Sequence, residues 1–90
     1  MEIKQGHHRF YIERDGEDIA EITYQPKGED RIVVDHTYVS EELRGQGIAG
    51  KLVDKIVTFA REEQKKIIPL CPYVKIKLDE NEAYQDVVAD

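Results

Sequence analysis

A chain of 90 residues with 40% hydrophobic and 36% charged side chains is too apolar for disorder and too short for two domains, which predicts one domain over residues 1–90 around one small core. No apolar run approaches the ~20 residues of a membrane span, and a net charge of −6 argues against nucleic acid, whose binding needs Lys and Arg set against phosphates. The single cysteine, Cys71, excludes an internal disulfide and a thiolate zinc cage and fits a reducing compartment.

Met1 to His8 carries no signal-peptide or lipidation pattern, and this predicts the cytoplasm. His7 and His8 lack a third ligand at metal spacing, so no metal site is expected. Phe10-Tyr11-Ile12 and Ile19 to Tyr24 read as strands joined at Asp15-Gly16, because both central positions of a type I′ hairpin turn need positive φ. A second turn is expected over Gln25 to Asp30. Arg31 to Val39 is a β-branched and aromatic run whose alternation puts Ile32, Val34, His36 and Tyr38 on one face and Val33, Asp35, Thr37 and Val39 on the other. These runs predict an antiparallel three-stranded meander.

After Gly47 the period changes. Ile48, Ala49, Leu52, Val53, Ile56, Val57, Phe59 and Ala60 gather on one helical face and Lys51, Asp54, Lys55, Thr58, Arg61 and Glu62 on the other, so residues 48–63 are expected to be helical and to cover the meander. Ile67 to Leu70 predicts a short strand returning parallel to the third, through a right-handed crossover. From Tyr73 onward one or two short helices are expected, with Pro72 at a helix start. The fold class is α+β. Charge is uneven along this order: residues 51–78 hold seven basic and three acidic groups, and residues 79–90 hold five acidic groups and no basic one. An anionic small ligand can therefore find a local positive field in an acidic chain.

The stretch with chemistry in it is Val39-Ser40-Glu41-Glu42-Leu43-Arg44-Gly45-Gln46-Gly47-Ile48-Ala49-Gly50. It joins a strand to an amphipathic helix whose first N–H groups lack intrahelical partners, and its glycines let a ligand approach the backbone closely. A plain strand-to-helix turn would use the same residues. Gly45-x-Gly47-x-x-Gly50 also matches the dinucleotide fingerprint literally, but an antiparallel meander precedes it and the ribose-binding acid ~20 positions on falls at Lys65-Lys66. The phosphate loop of nucleotide triphosphatases fails too, since Lys51 is not followed by Ser or Thr.

Arg44-Gly45-Gln46-Gly47-Ile48-Ala49 resembles the coenzyme A signature Arg/Gln-x-x-Gly-x-Gly/Ala of the GNAT superfamily of acetyl-CoA-dependent N-acetyltransferases. With His36-Thr37-x-Val39 and Pro69-x-Cys71-Pro72-Tyr73-Val74 the chain is similar to a compact branch of that superfamily over Phe10 to Val88. The resemblance implies a minimal GNAT-like fold that binds acetyl-CoA and moves its acetyl group to a small-molecule or peptide amine. It implies that the loop amides of Arg44 to Gly50 hold the pyrophosphate, and Lys51 and Lys55 in the first turns of the helix stand where they can reach phosphates, with solvated-face lysines as the alternative. It also implies that the strand ending at Val39 offers backbone to the pantetheine arm, in a wedge opened by the splay of the next strand. Longer members add helices and strands around an acceptor pocket, which 90 residues leave no room for; a homodimer is one way to supply that wall. The tail Asn81-Glu82-Ala83-Tyr84 departs from the His-Pro-Glu-Tyr-like stretch of compact relatives.

Acetyl transfer to an amine needs a base for the ammonium proton and an acid for the leaving thiolate. His36, three residues before Val39, suits the first role, and a strand histidine bonded to backbone is the structural alternative. Cys71 suits nucleophile or acid, against the alternative of a small buried apolar residue. Tyr73, and behind it Tyr84, are further acids, and His36 with Cys71 on neighbouring strands is a candidate pair. A coenzyme-binding module without catalysis, or an interaction domain on the same scaffold, are the competing readings.

Overall fold

The computed structural model describes residues 2–89; Met1 and Asp90, at the ends of the expected domain, lie outside the described residues. Strands β1 (Lys4–Gly6), β2 (Arg9–Arg14), β3 (Glu17–Lys27), β4 (Arg31–Val39) and β5 (Lys66–Pro69) form one sheet in sequence order. β1 to β4 run antiparallel, and β5 joins β4 in parallel. Helix α1 (Ile48–Glu62) makes the crossover between β4 and β5, and helix α2 (Pro72–Glu80) is followed by a 3-10 segment, Glu82–Val87. The meander thus has four strands, one more than expected. β1 has no apolar alternation of its own and exists through its pairing of Lys4 with Tyr11 and Gln5 with Phe10.

The hairpin signal is realised as read: Asp15 at φ 52° and Gly16 at φ 77° turn β2 into β3. The second turn is shorter than expected, because β3 continues through Pro26 to Lys27. Proline is tolerated there since the β2 partners end at Thr23, which leaves Pro26 on an open edge with β4 alone beside it. β3 carries one irregularity at Ile19, where the register steps from Ile12↔Ala20 to Glu13↔Asp18. Ile19 and Ala20 are consequently both buried.

Both helices pack on one face of the sheet. Phe10, Ile12, Ile22, Tyr24, Ile32, Val34 and Ile67 point into a single core with the α1 stripe Ile48, Leu52, Val53, Ile56, Val57 and Ala60, and Val74 and Leu78 of α2 join it. Burial of a side chain of this kind contributes about 1.5–3 kcal/mol, so α1 is held by its stripe rather than by helix propensity. Phe59 closes one end of the core, 5.4 Å from Phe10 and 5.3 Å from Tyr24 between ring centroids. On the opposite face Arg9 bonds Asp18 at 2.7 Å and Glu21 at 2.6 Å while its guanidinium lies 3.8 Å over the Tyr11 ring. Both carboxylates raise the pKa of Arg9. The C-terminal residues are tied back to the sheet by Val88 beside Ile67 and by the Ala89 N–H donating to the Ile67 carbonyl at 2.9 Å.

One correction bears on chemistry. Thr23 pairs with His36 but Tyr24 pairs with Val34, so Asp35 is an extra residue in β4 without a partner on β3. Such a bulge inverts the alternation beyond it. Ile32 and Val34 are buried as expected, but His36 and Tyr38 are exposed, and Val39 packs against the core instead. Asp35 is held at the bulge by the Thr23 hydroxyl, which donates to Oδ1 at 2.6 Å.

Candidate functional site

The ladder between β4 and β5 runs from Arg31↔Lys66 to Val34↔Pro69 and stops. Two prolines stop it. Pro69 lacks an N–H, and Pro72 at the first turn of α2 turns the chain into a helix. Between them, Leu70 and Cys71 both donate their N–H groups to the Val34 carbonyl at 3.0 Å. Residues 35–39 of β4 therefore diverge from the chain that follows β5, and the sheet opens into a wedge at its edge toward α1.

The loop from Ser40 to Gly47 closes that wedge from below. A single 3-10 turn, Glu41–Leu43, buries Leu43, and Ile48 is buried on the far side, so the exposed stretch Arg44 to Gly47 is pinned at both ends. Gly45 at φ 83° and Gly47 at φ 72° take the left-handed region that an L side chain resists. A Cβ on either would meet nothing within 4 Å, so the glycines serve backbone conformation and open space rather than packing. Gly47 caps α1 without a side-chain bond, and no acidic residue occupies the first turn. The first intrahelical bond is from the Lys51 N–H to the Gly47 carbonyl at 3.2 Å, and among the described residues the N–H groups of residues 45–50 meet no backbone acceptor. They lie at the positive end of a 15-residue helix.

Val39, Arg44, Gly45, Gly47, Ile48 and Ala49 line one cavity of about 180 Å³ with Leu43 and Tyr73. The structure thus brings the strand end, the loop and Tyr73 of α2 together. Gln46 is exposed and donates Nε2 to the Glu42 carbonyl at 3.3 Å. Gly50 and Lys51 lie around the helix on a second groove. The rows of N–H donors, the absence of a Cβ and the missing acidic side chain fit a diphosphate group, so the residues present suit the coenzyme that the signature implies.

The expected pairing of Cys71 with His36 is replaced. Cys71 is buried, 9% exposed, and its Sγ lies 3.6 Å from the Thr37 hydroxyl. The bulge at Asp35 is the reason, since it turns Thr37 toward Cys71 and His36 to the face free of helices. Tyr73 keeps its place beside the loop, half-buried, with the Lys77 ammonium 5.6 Å from its ring. Tyr84 is directed elsewhere: its hydroxyl donates to Asp54 Oδ1 at 3.1 Å. Burial first, and the bond to Asp54 next, raise its pKa above the ordinary value and make it a weaker acid. Thr37 and Leu43, named from sequence only as members of a motif and of the loop, were given no role there. Leu43 had a signal in its isolated apolar position among Glu41, Glu42 and Arg44, whereas Thr37 depends on a bulge that alternation does not reveal.

A crossover helix beginning at a glycine loop beside a split parallel strand pair defines the N-acetyltransferase class of acyl-transfer folds. Residues 9–87 match the family model of the GCN5-related N-acetyltransferases, and the chain belongs to that family. It is 45% identical to a GCN5-like N-acetyltransferase candidate from Staphylococcus aureus solved in solution by NMR, with a TM-score of 0.83 over 98% of this chain and 87% of that one. A ribosomal-protein-alanine N-acetyltransferase from Brucella melitensis biovar Abortus 2308 is 26% identical, with a TM-score of 0.58 over 91% of this chain and 62% of its own. A GNAT family acetyltransferase from Elizabethkingia anophelis with acetyl-CoA bound shares the fold at 17% identity and a TM-score of 0.62, over 80% of this chain and 50% of that one. No curated protein matches the chain.

Proposed function

We propose that this N-acetyltransferase holds acetyl-CoA in the wedge between β4 and the chain after β5, with its diphosphate on the N–H groups of Gly45 to Gly50 and the Arg44 side chain beside them. The observation behind this reading is the end of the β4–β5 ladder at Val34↔Pro69 beside an α1 N-terminus without a side-chain cap. Bound there, the coenzyme supplies an acetyl group as a thioester: a C–N bond to the amine forms, the C–S bond breaks, and the amine proton ends on the solvent or the departing thiol.

The protein's part is to hold and to move protons. Val39 offers main-chain groups at the rim of the wedge to the amide-bearing arm. Lys51 adds positive charge one turn into α1. Tyr73 holds a hydroxyl proton at the cavity wall, where it serves a thiolate leaving group. Cys71 lies behind it with its thiol oriented by Thr37, the position for a second proton donor or an acetyl-accepting thiolate. His36 stands on the β4 segment that borders the wedge, on the face free of helices, and takes a proton from an amine arriving from that side. The acceptor is an amine of a small molecule or a protein, the chemistry of the family. One domain spans residues 1–90, the cytoplasm is its compartment, and a second copy is the simplest source of further acceptor walls.

Calorimetry with acetyl-CoA tests the reading on the native chain and on Gly47→Glu. The wild type is expected to bind with saturating heat, and the variant to lose binding because bulk and negative charge enter the cradle. Wild type that takes up no acetyl-CoA at millimolar concentration, or a folded Gly47→Glu that binds as well as wild type, refutes it.

A further inference from the structure

Lys51 and Lys55 stand one turn apart on the exposed side of α1, over a groove of about 540 Å³ walled by Ile3, Gly47, Gly50 and Asp54. The groove meets the loop cavity at Gly47, which lines both. Neither lysine takes part in an ion pair among the described residues. Asp54, the acid between them, lines the same groove and accepts a hydrogen bond from the Tyr84 hydroxyl on Oδ1 at 3.1 Å. The groove therefore keeps a positive excess in a chain of net charge −6. Its volume falls within the ~300–1,000 Å³ of sites for ligands of nucleotide size.

A second groove flanks α1 on the α2 side, where Gly50 is again part of the wall, together with Val53, Lys77, Glu80 and Tyr84. It is half the size, about 260 Å³, and its charges are matched internally. Lys77 lies 3.8 Å from Glu80, and the Tyr84 hydroxyl is engaged by Asp54. A phosphate dianion entering this groove meets one lysine paired to one carboxylate; entering the other, it meets two lysines that form no ion pair among the described residues and one carboxylate, Asp54, that accepts from the Tyr84 hydroxyl.

We propose that the nucleoside end of the coenzyme lies in the Lys51–Lys55 groove and that Lys55 reads its 3′-phosphate, so that the enzyme distinguishes coenzyme A from the 3′-dephospho form. This rests on the coenzyme reading above. With the diphosphate at Gly47, the ribose leaves the loop on the side where the larger groove begins, and Ile3 gives the base an apolar wall. An ammonium on a flexible stem suits an exposed monoester phosphate as a point charge. The preference is electrostatic at an exposed site, so it weakens as salt rises.

Isothermal titration of coenzyme A and 3′-dephospho-coenzyme A, at low ionic strength, against wild type, Lys55→Gln and Lys77→Gln tests the assignment. Wild type is expected to prefer coenzyme A about fivefold, the size of one exposed ion pair at its upper range. Lys55→Gln is expected to remove the preference with dephospho-coenzyme A affinity unchanged, and Lys77→Gln to retain it. Both ligands binding wild type equally, or a preference lost in Lys77→Gln and kept in Lys55→Gln, overturns the proposal while the coenzyme reading stands. Neither ligand binding at millimolar concentration overturns both.

Discussion

Gly50 should show opposite effects on stability and on binding when it gains a methyl group. It has an ordinary helical backbone in the first turn of α1, and a Cβ built there meets no atom within 4 Å. Alanine in a helix is favoured over glycine by about 0.5–1 kcal/mol, and the lower end applies because the residue 50 N–H has no intrahelical acceptor in either variant. A gain of about 0.5 kcal/mol raises Tm by about 2–4 °C in a domain of this size. Gly50 also forms part of both grooves beside α1, so the same methyl group stands where the coenzyme passes the helix. Overpacking of that kind costs about 1–3 kcal/mol, or roughly tenfold or more in affinity. Thermal denaturation and acetyl-CoA calorimetry on one preparation of Gly50→Ala read both quantities. A higher Tm with unchanged affinity refutes the placement of the coenzyme at Gly50, and a lower Tm refutes the account of the glycine as conformationally unnecessary.

Cys71→Ala is expected to lower acetyl turnover about 10²-fold, the scale of a lost proton donor or nucleophile, while coenzyme affinity holds; turnover equal to wild type makes the thiol a packing residue only. The Arg61–Asp86 pair predicts an acid-sensitive C-terminus. Arg61 Nε donates to Asp86 Oδ2 at 2.8 Å and its other nitrogen reaches Oδ1 and the Ala83 carbonyl, which lowers the Asp86 pKa from 3.8. A depressed carboxylate stabilises the fold above its unfolded pKa and loses that contribution as pH falls through the folded value. The advantage of wild type over Asp86→Asn in urea midpoint should therefore shrink below pH 3.8, and an advantage independent of pH contradicts the pairing.

Elements with a local cause were legible from sequence. The Asp15-Gly16 turn and the α1 stripe from Ile48 to Ala60 are written in positive-φ chemistry and in a 3.6-residue period, and both formed with boundaries within a residue of those read. The loop signature was legible because its glycines and the missing acidic residue are themselves the cradle. What depended on a partner was hidden. β1 is three residues whose only reason to be extended is the edge of β2. Residue Val88 lies beside Ile67 in a contact that 20 intervening residues separate in the chain. α2 was foreseen through Pro72 at its start, while its two buried residues, Val74 and Leu78, are too few to announce a helix by pattern. The face of His36 was misread because strict alternation has no place for an extra residue, and Asp35 is one.

That extra residue makes the lining of the wedge a matter of register as well as of composition. Thr23 pairs with His36 and Tyr24 with Val34, so Asp35 stands outside the ladder and its removal leaves every side chain of β4 on its present face. The opposite change comes from a slip of one residue: with Asp35 taken into the ladder opposite Thr23, His36 and Tyr38 turn inward while Thr37 and Val39 turn out. The bulge, held by the Thr23 hydroxyl on Asp35, is therefore a register pin, and the same residues in the same order would present different chemistry to the coenzyme without it.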